Sequence, residues 1–177
     1  MSFERNIENL ESLVNRLGLG SQEAEKALVR ALNRTIRAVS TLSAREIGKG
    51  TGVKVKLIKS RMKAYKATKR KTFASLYTLL FSLPAIILGE AVQTKDGVSV
   101  GGHFYPDAFL VRNVKRKSGS RDMILKRVKD SKYPLREMRV SIADSVDLEM
   151  SRQVTELEDR LIKNYIRELE VLAGFFK

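Results

Sequence analysis

Residues 73–89 read FASLYTLLFSLPAIILG, the most apolar stretch of the chain. Before it, apolar residues recur at helical spacing, whereas within and after it β-branched and aromatic residues favour strands. Its length is close to that of the shortest membrane span, but Pro84 interrupts it and a basic segment, 69–71, stands beside it. We therefore expect buried strands here, Phe73–Phe81 and Ala85–Leu88, and no membrane contact.

Two amphipathic helices are expected upstream of this stretch. Apolar residues at spacings of three and four predict a first helix over Phe3–Leu17 and a second over Gln22–Ile47, which Ser21 can cap. The glycines of Gly48–Gly52 predict a flexible break. A short basic helix, Lys54–Tyr65, is expected to follow.

Downstream, the pattern predicts more strands and then one long helix. The Asp96-Gly97 pair is typical of a hairpin turn, here between strands 91–94 and 98–101. A turn is expected at Gly101–Pro106, followed by two strands, Ala108–Val114 and Asp122–Val128, with a polar basic loop at 115–120 between them. The last element is a helix with an apolar stripe, Val146–Ala173.

This order predicts an α+β fold with N-terminal helices, an antiparallel β-sheet and a long C-terminal helix. The length of 177 residues suits a single domain over residues 1–177. Within it we expect a helical part at 1–66, a β-sheet part at 72–140 and the C-terminal helix at 144–173.

Composition argues against most kinds of enzyme. The chain has no Cys and one His, His103, which excludes disulfides and thiolate sites and nearly excludes a His-based zinc site or a Ser-His triad. His103 falls in the predicted turn, where a structural role is commoner than a catalytic one. We expect a non-enzyme without catalytic residues, cofactor or metal.

The positive charge is concentrated in two segments. The chain has 34 Lys and Arg against 20 Asp and Glu, a net charge of +14. Segment 45–72 holds 11 basic residues and one acidic residue, and segment 112–139 holds 11 basic and three acidic residues. Such blocks attract polyanions, although a solvated basic face that keeps the protein soluble would look the same in sequence.

These blocks supply the candidate contacts to DNA or to an acidic partner. The only aromatic residues within the two blocks are Tyr65 and Tyr133, so stacking on the bases of a single strand is poorly supported. Charge contact with the phosphate backbone of a duplex fits better. The candidate residues are Lys54, Lys56, Lys59, Arg61, Lys63, Lys66, Lys69, Arg70, Lys71, Lys115, Arg116, Lys117 and Arg121.

Several segments in one order resemble a known family, the minor tail protein Z family of tailed bacteriophages and prophages, also called tail completion proteins. The resemblance extends over about residues 25–170 and rests on the combination rather than on one motif. The segments are Ala31–Ile47 (ALNRTIRAVSTLSAREI), the basic Val53–Lys63, Leu83–Gly89 (LPAIILG), Asp107-Ala108-Phe109, and Lys132-Tyr133-Pro134-Leu135 before the last helix.

The resemblance implies a structural virion protein at the head-proximal end of the tail, assembled in the cytoplasm of the bacterial host. It implies a ring of copies of this chain, expected to be hexameric, that joins the tail to the head connector and helps seat the DNA end. The implied partners are tail tube, tail terminator and head–tail connector proteins, with phage DNA in the lumen. The alternative function is a stand-alone DNA-binding protein without sequence specificity.

Overall fold

The computed structural model describes residues 2–116, 119–128 and 132–175. The described chain is mixed α and β, as predicted. Its helices are α1 (Ser2–Arg16), α2 (Ser21–Thr51), α3 (Val55–Arg61) and the long C-terminal α4 (Ala143–Leu172), with a short 3-10 helix at Ala85–Leu88.

The strands of the described ranges pair into four small antiparallel sheets rather than one. Strand β1 pairs with β2, β10 with β3, β5 lies between β4 and β6, and β8 lies between β7 and β9. Their bounds are β1 Met62–Tyr65, β2 Ser75–Thr78, β3 Leu83–Pro84, β4 Ala91–Gln93, β5 Gly97–Val100, β6 His103–Pro106, β7 Ala108–Arg116, β8 Gly119–Arg127, β9 Leu135–Glu137 and β10 Arg139–Val140.

The chain forms two compact units. The first unit contains the described residues of Met1–Ser43, Met62–Thr78 and Glu149–Lys177, and the second contains those of Ala44–Arg61 and Leu79–Leu148. The prediction of one domain over 1–177 stays a prediction, because compactness does not show whether a unit folds alone.

The first unit is built on α2 and α4, with the β1–β2 hairpin packed against them. Leu32 and Ile36 of α2, Met150 and Leu157 of α4 and Leu76 of β2 line one apolar cavity of about 270 Å³. Polar contacts join the same elements. Glu168 of α4 forms ion pairs with Arg30 and Arg34 of α2, and the Asn164 amide donates a hydrogen bond to the Thr35 hydroxyl.

The second unit has its core between the β4–β5–β6 and β7–β8–β9 sheets. Its buried cluster consists of small and branched residues, which strand pairing brings together: Ala85, Ala91, Val98, Val100, Ala108 and Ile124. Tyr105 packs against this cluster, and burial raises the pKa of its phenol.

The predicted break at Gly48–Gly52 is wrong, because α2 continues to Thr51. The Thr51 hydroxyl donates a hydrogen bond of 2.7 Å to the Ile47 carbonyl, which closes the last turn. A glycine is also required at position 48, since a Cβ there would lie 2.9 Å from the Val53 carbonyl oxygen. The helix ends where Gly52 takes a φ of +71°.

The predicted helix Lys54–Tyr65 is only half right. Helix α3 ends at Arg61, and Met62–Tyr65 form β1, in which Lys63 pairs with Tyr77. Pairing with a strand more than ten residues away overrides a local pattern that suits a helix. The partner β2 is in turn shorter than the predicted strand Phe73–Phe81.

Three further expectations in the second unit need correction. Ala85–Leu88 is a 3-10 helix rather than a strand; it packs on the core, and its first amide, Ala85 N–H, donates to the Met138 carbonyl. His103–Pro106 is a strand, since the turn is confined to Gly101 and Gly102, both with positive φ. The predicted loop at 115–120 is largely strand, with Lys115 paired to Ser120. The positions 117 and 118 lie outside the described residues.

Candidate nucleic-acid interface

The structure divides the first basic block between the two units. Lys54 lies just before α3, and Lys56 and Lys59 are exposed on that helix, all in the second unit. Arg61 ends the helix, and its Nη1 donates a hydrogen bond of 3.0 Å to the Phe81 carbonyl. No described carboxylate forms a salt bridge with these three lysines, whereas Arg61 has a local role.

The other five candidates of this block lie on the β1–β2 hairpin of the first unit. Lys63 is on β1, and Lys66 follows the end of that strand. Lys69 and Arg70 occupy the tip of a tight turn that two backbone hydrogen bonds close between Thr68 and Lys71. All five cations are exposed.

Three aromatic side chains share the hairpin with these cations. Tyr65, Phe73 and Tyr77 are 56, 53 and 60 % exposed. The Tyr65 and Tyr77 rings meet edge to face with centroids 5.4 Å apart, and Lys71 Nζ lies 4.4 Å from the centre of the Phe73 ring. These rings, with Lys66, Lys71 and Ser75, line a shallow cavity of about 370 Å³.

Strand alternation explains why these residues share one face. In the hairpin register Lys63 stands opposite Tyr77 and Tyr65 opposite Ser75, so their side chains leave the same side of the ribbon. We call this side, consisting of Lys63, Tyr65, Lys66, Lys71, Phe73 and Tyr77, the outer face of the hairpin. The intervening Ala74 and Leu76 point the other way, into the apolar cavity beside α2 and α4.

An amide clamp holds the hairpin to α2. The Asn33 side chain donates from Nδ2 to the Ala67 carbonyl at 2.9 Å and accepts from the Ala67 amide at 2.8 Å. Ala67 is itself buried. Because both backbone groups of Ala67 are fixed, the chain is held directly after Tyr65 and Lys66 and before the Lys69–Arg70 tip.

The hairpin carries an uncompensated positive charge. Residues 62–78 include five Lys and Arg and no Asp or Glu. Across the described part of the chain, no carboxylate forms a salt bridge with Lys63, Lys66, Lys69, Arg70 or Lys71. These cations therefore keep their charge available for an external anion.

The second basic block is partly used inside the second unit. Lys115 is exposed on β7, whereas Arg121 donates to a Glu137 carboxylate oxygen at 2.8 Å. Arg139 pairs with the same carboxylate, and Lys126 pairs with Asp107 at 3.1 Å. Among the other candidates, Arg116 ends β7 and Lys117 lies outside the described residues.

Sequence analysis missed Phe73 and Tyr77 as members of the candidate interface. Both lie just beyond the basic block that ends at residue 72, so they were counted as core residues of a long strand. The signal that could have found them is the period of two in Phe73, Ser75 and Tyr77, which places them on one side of a strand.

The described residues hold no group of three or more Asp, Glu or His side chains arranged for a metal ion. His103 is exposed on β6. Among the described helices, none combines the length and apolar character that crossing a membrane requires.

Comparison with protein families shows a match over most of the chain. The family described as prophage minor tail protein Z matches residues 3–171, nearly the whole chain and somewhat more than the range 25–170 that the sequence segments indicated. No curated protein and no solved structure shows significant similarity to this chain.

Proposed function

The chain belongs to the prophage minor tail protein Z family and is thus a phage minor tail protein; on this premise we propose that it is a tail completion protein whose ring joins tail to head and contacts the DNA end. The ring consists of copies of this chain, six in number to match a sixfold tail. Its protein partners are the tail tube, tail terminator and head–tail connector proteins.

The observation that carries the DNA contact is the uncompensated charge of the β1–β2 hairpin. Five exposed cations that have no carboxylate partner in the described ranges repel one another unless an anion lies against them. In a ring, each hairpin is repeated around the axis, so the charges add up to a collar that suits a polyanion along that axis. Lys54 before α3, Lys56 and Lys59 on α3, and Lys115 on β7 add further exposed charge.

Gold-labelled antibody against this chain, applied to intact virions and isolated tails, tests the location. We expect label only at the head-proximal end of the tail. Particles without label, with the antigen free in the lysate, would contradict the virion role and support the alternative, a stand-alone DNA-binding protein. Native mass spectrometry of the assembled protein tests the ring, for which we expect a hexamer.

A triple substitution on the second block separates a DNA contact from a protein contact. If Lys115, Arg116 and Lys117 face DNA, their replacement by Ala leaves the protein in the tail but impairs DNA retention or ejection. Replacement of Lys26, Lys95 and Lys163 by Ala removes the same charge outside both blocks and serves as the control. If tails incorporate the control variant but not the variant of Lys115, Arg116 and Lys117, these three residues lie at a protein interface instead.

A further inference from the structure

The outer face of the β1–β2 hairpin combines exposed aromatic rings with cations that have no carboxylate partner among the described residues. A purely electrostatic contact with DNA would need the cations but not the rings. We infer that this face binds single-stranded DNA, with bases stacking on Tyr65, Tyr77 and Phe73 and phosphates meeting the neighbouring lysines. The inference deepens the DNA contact proposed above and rests on it for the identity of the polyanion.

Exposure of the rings is the first argument. Tyr65 and Tyr77 each keep more than half of their surface in water although they touch each other. An edge-to-face pair leaves ring faces uncovered, and a base can stack on such a face. Lys71 lies over one face of Phe73, which leaves the opposite face of that ring for a base.

The second argument is the match between the face and the two parts of a nucleotide. Bases of a duplex are stacked on one another and cannot reach the rings, so a duplex would use the cations alone. In a single strand the bases are free to stack, while phosphates can meet Lys66 and Lys71, which line the same cavity as the rings, and Lys63, which stands opposite Tyr77. An acidic peptide would satisfy the cations but offers no planar group for three rings.

The third argument is that the face is built before any ligand arrives. The Asn33 clamp on Ala67 holds the hairpin to α2, and the half-buried Ala74 and Leu76 line the apolar cavity beside α2 and α4. Tyrosine and phenylalanine have few rotatable bonds, so ordering them on binding has a small entropic cost. A preformed platform of this kind is what single-strand binding requires.

The test measures fluorescence anisotropy of a labelled oligothymidylate and of a duplex of the same length, each titrated with the full chain. We expect tighter binding to the single strand. Replacing Tyr65 or Tyr77 by Leu should weaken single-strand binding by about five-fold or more for each ring, because stacking on an aromatic ring contributes about 1–3 kcal/mol per base. Duplex binding should remain within about two-fold, since its phosphate contacts are unchanged.

Two controls keep the result specific. Tyr65→Phe and Tyr77→Phe retain the rings and should restore the affinity of the unsubstituted chain for the single strand. Phe104→Leu removes a ring of similar exposure on β6 in the second unit and should have no effect. Thermal unfolding by circular dichroism establishes that each variant is folded before its affinity is compared.

Equal affinity for single strand and duplex, or a loss from Tyr→Leu that is the same for both, would overturn the inference and leave the proposed tail function intact. Unchanged DNA binding together with failure of the Tyr65→Leu protein to enter tails would also overturn it, and would identify the face as a protein contact. Absence of any DNA binding overturns the stacking inference and the DNA contact together, while gold labelling still decides the tail location.

Discussion

The two basic hairpins look alike in sequence and differ in what they do with their charge. Residues around β1–β2 and around β7–β8 lie in blocks with the same number of Lys and Arg. On β1–β2, five cations are exposed and none has a carboxylate partner among the described residues. In the second block, Arg121 and Arg139 share Glu137, and Lys126 pairs with Asp107.

This difference shows that the net charge of a segment, counted from its sequence, can exceed the charge that remains for an external partner once the chain has folded. Neighbouring strands bring carboxylates to the second block, and these pairs contribute to the fold of the β7–β8–β9 sheet. Among the described residues, no carboxylate pairs with the five cations of β1–β2, so their charge is left for an external anion. The first hairpin is therefore the stronger candidate for DNA contact, whereas part of the charge of the second block is used in ion pairs within the second unit.

The largest expected effect is a loss of affinity for single-stranded DNA when cations of the β1–β2 hairpin are removed. Replacing Lys66, Lys69 and Arg70 by Ala should weaken single-strand binding about a hundred-fold near 0.1 M salt and lower the log–log salt slope by about 2, because each phosphate contact contributes about 0.7 to that slope. Anisotropy titrations over a range of salt concentrations measure both quantities.

The matched control removes three cations that are already paired. Arg121→Ala, Lys126→Ala and Arg139→Ala in one chain should change the salt slope by less than about 1, since the carboxylates of Glu137 and Asp107 already offset two of the three charges. An equal loss of affinity in both triple variants would contradict the claim that the cations of β1–β2 contact DNA more than the paired cations of the second block do.

The next effect concerns stability. Arg121→Ala removes a hydrogen-bonded partner from Glu137, whose side chain is only 13 % exposed, and should lower the free energy of unfolding by about 1–2 kcal/mol. Replacing Lys66 by Ala should change it by less than about 0.5 kcal/mol, as is usual for an exposed side chain without partners. Urea denaturation of both variants measures the contrast; equal values would contradict it.

A smaller effect on stability is expected from substitutions of Gly48 and Gly50, which lie in the last turns of α2. Since α2 runs to Thr51, Gly50→Ala should stabilise the chain by about 0.5 kcal/mol, because Ala favours a helix and its Cβ would lie 3.6 Å from the Ser145 hydroxyl. Gly48→Ala should instead destabilise it by about 1 kcal/mol, since the added Cβ meets the Val53 carbonyl. If both substitutions were neutral in thermal unfolding, the helix would not extend through these glycines.

The smallest effect is a titration in the first unit. Burial raises the pKa of Tyr165, so the folded chain keeps the phenol neutral at a pH where the unfolded chain has begun to ionise. The associated stability is fully present below the unfolded pKa and is lost as pH rises through the folded one. Relative to Tyr165→Phe, the unsubstituted chain should therefore lose stability above about pH 10 in urea denaturation. A constant difference between the two proteins would contradict this.

The parts of the fold that depend on local sequence could be predicted. Apolar spacing located α1, the start of α2 and α4 within a few residues, and Asp96-Gly97 located the β4–β5 hairpin, in which Thr94 N–H bonds the Gly97 carbonyl. These features are decided by residues close together in the chain, where periodicity and turn chemistry are informative.

The parts that depend on distant partners could not be predicted. Leu57, Ile58 and Met62 have helical spacing, and only the pairing of Met62 with Thr78 makes the second half of that segment a strand. The same pairing brings Tyr77 beside Tyr65, so the outer face exists only in the folded chain. For the same reason, sequence could identify Arg121 as a basic residue but not its ion pair with Glu137.

Ultraviolet cross-linking of intact virions, followed by mass spectrometry of the peptides of this chain that carry nucleotides, tests directly whether the β1–β2 hairpin is the DNA-binding face. We expect adducts on this hairpin, with Tyr65, Phe73 and Tyr77 as the modified positions. Virions that contain the protein but yield no adducts, or yield them only on β7–β8, would contradict the claim that this hairpin is the DNA-binding face.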